Sequence, residues 1–371
     1  MKIKEQISDK KKVEELINYY QDSGLLIVGL NDSQGVNTTT FLRKSFLDYL
    51  RDALTNEFLN PLIINAFSLT MNKTEHIDYF LKHNISLEEI KLSQIYSTIS
   101  ALEKVMRDIG LNKNLDRISN LFKQDNFKRD NEVHLASSLQ EAQEPVLIYS
   151  SGVNNLMREV GANPFGIKRD YKNRNIKPNY SYTLEQAKNL TTLKRVIDSI
   201  ERNYNTILGI NSNTDIYTLG AYVPKSLQRE ELAVFRDLII AYNEELINLC
   251  KEYSITFIDT ETIGKKYNTS SNNFHISSIG HVALANCLLD YMYNNKIETT
   301  KPNTRKSISP IKITNKGAEG VLEDLLIDYE ESCIRVDELS GYEEKRQIDI
   351  ATEHKREIEI FQKVLTKVKN T

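Results

Sequence analysis

Short apolar runs alternate along this chain with longer segments whose apolar residues recur every three or four positions. The runs are rich in Val, Ile and Leu and too short for helices, as is typical of strands that are buried on both faces. The longer segments have the spacing of amphipathic helices, and each can serve as the crossover between two parallel strands. We therefore predict an α/β protein with a parallel sheet.

The predicted strands and crossover helices follow one another along most of the chain. We predict strands at residues 25–30, 61–66, 146–149, 216–219 and 255–258. We predict crossover helices at residues 38–57, 183–203 and 227–252. Gly, Asn, Asp and Pro residues between these segments are typical of the turns that connect them.

The domain organisation is predicted from composition and spacing. A helix at 1–21 precedes an α/β domain at 22–294. Within that domain roughly 80 residues separate the second and third strands, where a plain crossover needs a few tens, so we predict a helical insertion at about 74–140. The polar segment 295–317 is predicted to be a linker, and 318–371 a charged helical tail.

The tail carries an apolar stripe at helical spacing: Ile358, Phe361, Leu365 and Val368. A narrow stripe of this kind packs on another helix. That helix belongs either to the same chain or to a partner, so we keep open a homodimer or a protein partner bound through the C-terminal helices.

The overall charge argues against a general polyanion binder. The 48 Lys and Arg residues and the 51 Asp and Glu residues give a formal charge of -3. One basic and aromatic segment, 168–180, is the only sequence feature that suggests a nucleic-acid role, and it is more simply a solvated flap that would favour an anionic substrate.

The cysteines and the N-terminal segment indicate a cytoplasmic protein without cofactors. The three cysteines lie far apart, which fits neither a zinc site nor a disulfide framework, and we expect buried, reduced thiols, no metal and no cofactor. No run approaches the ~20 apolar residues of a membrane span, and the basic N-terminal segment lacks the apolar core of a signal peptide. A chain trimmed of a signal peptide would look the same.

Three polar turns follow predicted strands and together suggest a site. Ser33 follows the first strand, Gly152 and Asn154 follow the third, and His275 follows the last. The carboxyl ends of parallel strands share one edge, where ligands bind in open α/β sheets. Ser33 is either a catalytic nucleophile or an ordinary turn residue.

These turns resemble, in order, the conserved blocks of the SGNH or GDSL hydrolases, a family with a three-layer α/β/α sandwich. The family's Gly-Asp-Ser block, followed by Gly, is matched by Asn31, Asp32, Ser33 and Gly35. Its Gly-x-Asn-Asp block is matched by residues 152–155, and its Asp-x-x-His block, followed by Gly-His, by 272–281. The resemblance spans roughly residues 22–294 and excludes the insertion and the tail.

The resemblance implies an ester hydrolase with defined roles. Ser33 would be the nucleophile and His275 its general base, while the Ser33 N–H and the Asn154 side chain would hold the oxyanion. The family takes a further donor from a Gly after the second strand. This chain has no Gly there, and a backbone N–H of Ser68 or Thr70 would substitute.

One departure separates two functional hypotheses. Asn272 stands where the family has the Asp that orients the histidine, an exchange that costs ~10⁴-fold in turnover in serine proteases. Either Ser33 and His275 act as a dyad helped by another acceptor, such as Asp259 or Glu261, or the chain is a weakened member. We therefore predict a small-molecule esterase acting on an ester or O-acetyl group, with a binding module or pseudo-enzyme as the alternative.

Overall fold

A computed structural model describes residues 9–31, 44–65, 74–108, 133–153, 156, 185, 188, 191–223, 233–267, 276–298 and 306–370. The chain forms two compact units. The sheet unit comprises residues 1–67, 71–75 and 139–310, and the helical unit comprises 68–70, 76–138 and 311–371.

The described part of the sheet unit contains one parallel sheet of five strands, which confirms the predicted α/β class. The strands are β1 Leu26–Asn31, β2 Leu62–Asn65, β3 Val146–Ser150, β4 Asp215–Leu219 and β5 Thr256–Ile258. Each corresponds to a predicted strand, and each end lies within one residue of its predicted position. β1 and β3 are buried at every position, as their continuous apolar runs indicate, whereas the edge strands β2 and β5 are only partly buried.

The strand order is β2-β1-β3-β4-β5, and every neighbouring pair is parallel. From β1 the chain continues to β2, which lies on one side of β1 in the sheet. β3, β4 and β5 then lie in order on the other side of β1. Strand order therefore reverses between β1 and β3, whose last residues, Asn31 and Ser150, pair with each other. A reversal of this kind opens a crevice at the carboxyl edge of the sheet.

The described helices have the following bounds: α1 Lys10–Tyr20, α2 Phe46–Leu54, α3 Thr74–Lys82, α4 Leu87–Asp108, α5 Leu135–Glu141, α6 Thr191–Ile210, α7 Ala233–Glu252, α8 Glu261–Tyr267, α9 Ser278–Tyr293, α10 Gly317–Asp337 and α11 Gly341–Lys369. A π-helical turn, Asn294–Glu298, continues α9.

Alternate residues of the strands contact different helices. Ile27, Ile148 and Tyr217 belong to one apolar cluster with buried residues of α1, α2 and α9. The adjacent positions contact α6 instead: Tyr149 accepts a hydrogen bond from Asn203, and the hydroxyls of Tyr204 and Thr218 lie 2.6 Å apart. This division follows from the pleat, because successive side chains of a strand point to opposite faces.

The start of α2 differs from the sequence prediction. The prediction placed a continuous helix over 38–57, but Lys44 and Ser45 are not helical and α2 begins at Phe46. Ser45 is the N-cap: its hydroxyl accepts from the Asp48 N–H, and the Asp48 carboxylate accepts from the Ser45 N–H. This capping box satisfies backbone donors that would otherwise lack partners, and it sets the first turn.

The helical unit joins the predicted insertion to the predicted tail. Helix α11 packs on α10 and on α4. The rings of Phe80 in α3 and Phe361 in α11 lie 5.9 Å apart, and His76 Nε2 lies 2.8 Å from Glu357 Oε2. The apolar stripe of the tail therefore contacts helices of its own chain.

The buried stripe of α11 is displaced slightly from the predicted one. Ile358 and Phe361 are buried as expected, and Val364 is fully buried, whereas Leu365 and Val368 are only half-buried. A strict heptad drifts around a straight helix, so the contact line moves from Leu365 to the neighbouring position.

A charged cluster fixes the π-helical turn at the amino end of the sheet. Lys296 Nζ lies 2.5 Å from Asp215 Oδ2 and 2.8 Å from Glu144 Oε2. Burial opposes the charge on Lys296, but the two carboxylates outweigh it and raise the pKa of the ammonium. The first residues of the predicted 295–317 linker thus make specific contacts with the sheet unit.

The cysteines agree with the prediction of buried thiols only in part. All three cysteines are free thiols; Cys250 is buried, and burial raises its pKa to about 11, while Cys287 and Cys333 are half-buried. Among the described helices, none combines the length and the low polarity that a bilayer span requires.

Candidate functional site

The candidate site lies at the carboxyl edge of the sheet, where β1 and β3 end side by side. Of the predicted site residues, Gly152 is described. The others lie outside the described residues: Asp32, Ser33, Gly35, Ser68, Thr70, Asn154, Asn272 and His275. Their geometry stays a prediction, and the site is built here from the described residues that flank them.

Gly152 holds a backbone conformation that other residues rarely adopt. Its φ is +111°, and a Cβ at this position would lie 2.9 Å from Val196 Cγ1 and 3.1 Å from the Tyr242 hydroxyl oxygen. That hydroxyl is itself fixed, because it donates a 2.5 Å hydrogen bond to the Ser151 carbonyl. Gly is required here both for the turn and for the close approach of α6 and α7.

Two polar side chains at this edge are buried without partners. Asn31 is 0% exposed and Ser151 is 2% exposed. Within the described part of the chain, neither the Asn31 carboxamide nor the Ser151 hydroxyl has a hydrogen-bond partner. Such groups are rare in native proteins, since burying them unpaired opposes folding.

The exit of β4 is held by three side chains from neighbouring elements. Asn243 of α7 accepts from the Ala221 N–H and donates to the Ala221 carbonyl, at 2.9 and 2.6 Å. Thr260 donates to the Gly220 carbonyl at 2.6 Å, and Glu261 accepts from the Val223 N–H at 2.8 Å. Beyond the end of β4 the backbone N–H and C=O groups have no neighbouring strand to pair with, and these side chains supply their hydrogen bonds instead. The hydrogen bonds hold the loop in one conformation.

The segment that carries His275 is anchored at both ends. The Ser277 N–H donates to the Tyr267 carbonyl at 2.7 Å, which brings the end of α8 to the start of α9. A Cβ on Gly280 would lie 2.8 Å from Cβ atoms of both Ile276 and Tyr267. Gly280, which matches the Gly of the resembled Gly-His motif, therefore permits close packing at this anchor.

The next residue connects this anchor to the segment that carries Ser33. His281 is fully buried, and its ring is stacked on Phe46 with centroids 6.2 Å apart. Phe46 is the first residue of α2, so the chain returns from the 32–43 segment at this point. The flanks of the Ser33 and His275 segments thus meet in the described structure.

The two carboxylates proposed as alternative acceptors for His275 differ in their contacts. Glu261 uses both oxygens locally: one accepts from the Val223 N–H, and the other lies 2.8 Å from Lys265. Asp259 is exposed and accepts from the Glu261 N–H through Oδ1. Glu261 therefore has a structural role, and Asp259 is the acceptor better able to face another group.

Sequence patterns alone do not identify Asn31 and Ser151 as buried polar groups without partners. Asn31 was recognised only as a departure from the Gly of the resembled block. A polar residue at the last position of an otherwise apolar strand was the available signal, but its burial and the lack of a partner depend on the packed structure.

Two other features of the described chain were considered as sites, and neither is as well defined as this edge of the sheet. A groove of about 450 Å³ on the helical unit is lined by Tyr96 and by polar side chains of α11, including Glu359, Gln362 and Lys363. Among the described residues, no group of three His, Cys, Asp or Glu side chains could hold a metal ion.

No protein-family model matches the chain, and a search of curated proteins returned no match. The SGNH resemblance therefore remains a prediction from the motifs.

Proposed function

We propose that the sheet unit is a three-layer sandwich of SGNH type that hydrolyses an ester or O-acetyl group. The observation that carries the proposal is the reversal of strand order between β1 and β3. The segments with Ser33 and Asn154 directly follow these two strands, and the anchor of the His275 segment contacts Phe46 at the end of the Ser33 segment. A nucleophile, an oxyanion donor and a base in one crevice are the parts that acyl transfer requires.

In the proposed reaction His275 takes the proton of the Ser33 hydroxyl as its oxygen attacks the ester carbonyl carbon. The Ser33 N–H and the Asn154 carboxamide stabilise the oxyanion. Collapse of the intermediate expels the alcohol, which takes the proton from His275, and leaves an acyl-serine. Water activated by His275 then attacks the acyl group, so that the carboxylic acid leaves and Ser33 regains its proton.

The rate of ester hydrolysis that we expect depends on the residue at position 272. If the missing orienting carboxylate is the main defect, Asn272→Asp raises ester hydrolysis by at least about 10-fold and at most by the ~10⁴ that the reverse exchange costs in serine proteases. If Asp259 already orients the histidine, Asp259→Asn lowers the rate and Asn272→Asp does not raise it.

The test is labelling of the full chain with a fluorophosphonate, followed by mass-spectrometric mapping of the labelled peptide. We expect label on Ser33, its loss in Ser33→Ala, and a fall in hydrolysis of 4-nitrophenyl acetate by about 10³-fold or more in that variant. Ser23→Ala is the matched control, because Ser23 lies in a surface turn before β1 and is expected to change neither readout. The hydrolase proposal fails if Ser33 stays unlabelled in both the wild-type chain and Asn272→Asp and neither hydrolyses esters.

The second candidate is a protein that binds an acylated or glycosidic ligand in the same crevice without turnover. Asn272 favours it, and so do the unpartnered polar groups of Asn31 and Ser151, which suit a ligand whether or not it reacts. Ligand binding without fluorophosphonate labelling would select this candidate.

A further inference from the structure

Strands β1, β2 and β3 end in polar residues that lie on one face of the sheet: Asn31, Asn65 and Ser150. Gly29 pairs with Asn65, and Asn31 pairs with Ser150. Paired residues of parallel strands project to the same face, and so do residues two apart in one strand. Ile27 precedes Gly29 by two residues and belongs to the apolar cluster of α2 and α9. The polar ends of the three strands therefore lie on the face that α2 and α9 cover.

The Asn31 and Asn65 carboxamides lie close together on this face. A Cβ placed on Gly29 would lie 2.5 Å from Asn31 Nδ2 and 3.5 Å from Asn65 Oδ1. Because both distances start at one point, the two atoms are at most about 6 Å apart, a gap that one hydroxyl group spans with two hydrogen bonds of about 3 Å each. The same point lies 2.5 Å from Leu47 Cδ1, so a side chain at position 29 would displace the Asn31 carboxamide or Leu47.

The Asn31 carboxamide differs from a buried carboxamide elsewhere in the sheet unit. Asn203 is 0% exposed, and its amide donates to the Tyr149 hydroxyl at 2.9 Å. Asn31 is also 0% exposed, but among the described residues neither its nitrogen nor its oxygen has a hydrogen-bond partner. Buried polar groups are normally paired. An unpaired carboxamide at the carboxyl edge of the sheet, two residues before Ser33, therefore points to a ligand group.

We propose that the Asn31 carboxamide, with Asn65 beside it, forms a subsite for a hydroxyl group of a neutral, polyhydroxylated substrate such as a carbohydrate ester. The hydroxyl oxygen accepts from an Asn31 N–H, and its hydrogen is donated to a carboxamide oxygen. Ser150 places a further neutral polar residue next to Asn31 on the same face. This assignment rests on the proposed function, since the subsite adjoins the segment that carries Ser33, and it specifies the substrate class that the motifs leave open.

The chemistry of these groups selects this class. Carboxamides and a serine hydroxyl offer donors and acceptors but no charge. A substrate hydroxyl both donates and accepts, so it can pair with both carboxamides at once. An alkyl group would leave Asn31 unpaired, and an anion would place its charge against the carboxamide oxygens. Because Asn31 is fully buried, a substrate without the hydroxyl group leaves this carboxamide unpaired within the protein, and the subsite discriminates against that substrate.

The test compares two acetate esters on the full chain. They are 6-O-acetylglucose and tetrahydropyran-2-ylmethyl acetate, which has the same ring and ester but lacks the ring hydroxyl groups. Asn31→Leu keeps the approximate shape of the side chain and removes its hydrogen-bonding atoms. We expect this variant to lower kcat/KM for 6-O-acetylglucose by about 10-fold or more and to change kcat/KM for the second ester by less than about 3-fold.

Two control variants separate this effect from a loss of folding. Ser199→Ala removes a buried hydroxyl that donates to the Arg195 carbonyl on α6, so it should leave the ratio of the two kcat/KM values unchanged. Asn203→Leu removes a paired carboxamide and should lower the melting temperature, whereas Asn31→Leu removes an unpaired one and should not. Equal kcat/KM ratios in the wild-type chain and Asn31→Leu would overturn the subsite. If Asn31→Leu does not fold, Asn31→Ala decides by the same ratio.

A binding measurement distinguishes failure of the subsite from failure of the hydrolase proposal. If Ser33 is not labelled and neither ester is hydrolysed, binding of 6-O-acetylglucose to the full chain is measured by ligand-observed NMR. Binding by the wild-type chain that Asn31→Leu weakens and Ser199→Ala does not would support the subsite in a non-catalytic protein. No binding, or equal binding by all three chains, would overturn it.

Discussion

Replacing Gly152 by Ala tests whether the turn after β3 is as tightly constrained as its geometry indicates. Gly24 provides a matched control, because it also has a positive φ, of +73°, but a Cβ there would meet nothing within 4 Å. Ala at position 24 adopts a left-handed conformation at a cost of about 1–2 kcal/mol, and at position 152, where φ lies beyond the left-handed region, the backbone cost is at least as large. Any loss at Gly152 beyond that at Gly24 therefore combines backbone strain with the steric contacts, which a double-mutant cycle with Val196 separates.

The steric contribution to the loss of stability is large because the side chains next to Gly152 cannot move away from an added methyl group. Val196 is buried on α6, and the Tyr242 hydroxyl is fixed by its bond to the Ser151 carbonyl. Forcing a methyl group to 2.9–3.1 Å from these atoms adds about 1–3 kcal/mol. Gly152→Ala should therefore lower the free energy of unfolding by about 2–5 kcal/mol, against about 1–2 kcal/mol for Gly24→Ala.

The assay is urea unfolding followed by circular dichroism, with hydrogen exchange of β3 amides as a local readout, since two compact units need not unfold together. Val196→Ala removes one clashing atom, so in a double-mutant cycle it should recover about 1 kcal/mol in the Gly152→Ala background. Equal losses at Gly152 and Gly24, or no coupling to Val196, would refute this reasoning.

Three further predictions concern other parts of the molecule. Lys296→Met leaves the carboxylates of Asp215 and Glu144 without their shared cation, so urea unfolding should show a loss of about 2 kcal/mol at pH 7. The loss should fade below about pH 4. Burial alone would raise the pKa of Glu144, but Lys296 and the Tyr19 hydroxyl lower it below its usual value, and the pair is lost as that carboxyl takes up a proton. Because burial raises the pKa of Cys250 to about 11, the folded state disfavours its thiolate; stability should fall from pH 9 to 11, and less steeply in Cys250→Ala. Deletion of residues 311–371 removes α11, which packs on α4 in the helical unit. Amides of α4 should then lose their protection from hydrogen exchange, whereas amides of β1 and β3 should keep it. Retained protection in α4 would contradict this prediction.

The strands were predictable because their signal is local. A strand covered on both faces must be apolar at every position, so runs such as the one ending at Leu30 reveal the element from a few residues. Helix starts were less predictable, since Ser45 caps α2 through a side chain that is equally common within surface loops. The Gly152 turn was expected from the Gly-x-Asn pattern, whereas the fit of that turn against Val196 and Tyr242 depends on two helices more than 40 residues away along the chain.

The sequence by itself therefore determined the α/β class, the five strands and the turn at Gly152, because periodicity and turn chemistry act over a few positions. The tertiary structure decided which strands are neighbours, since the reversal between β1 and β3 depends on pairing across more than 100 residues. It also decided that the insertion and the tail fold as one unit, through contacts such as Phe80 with Phe361. The orphan state of Asn31 and Ser151 belongs to the same category, because a hydrogen bond is lost or made only when distant segments exclude water from a polar group.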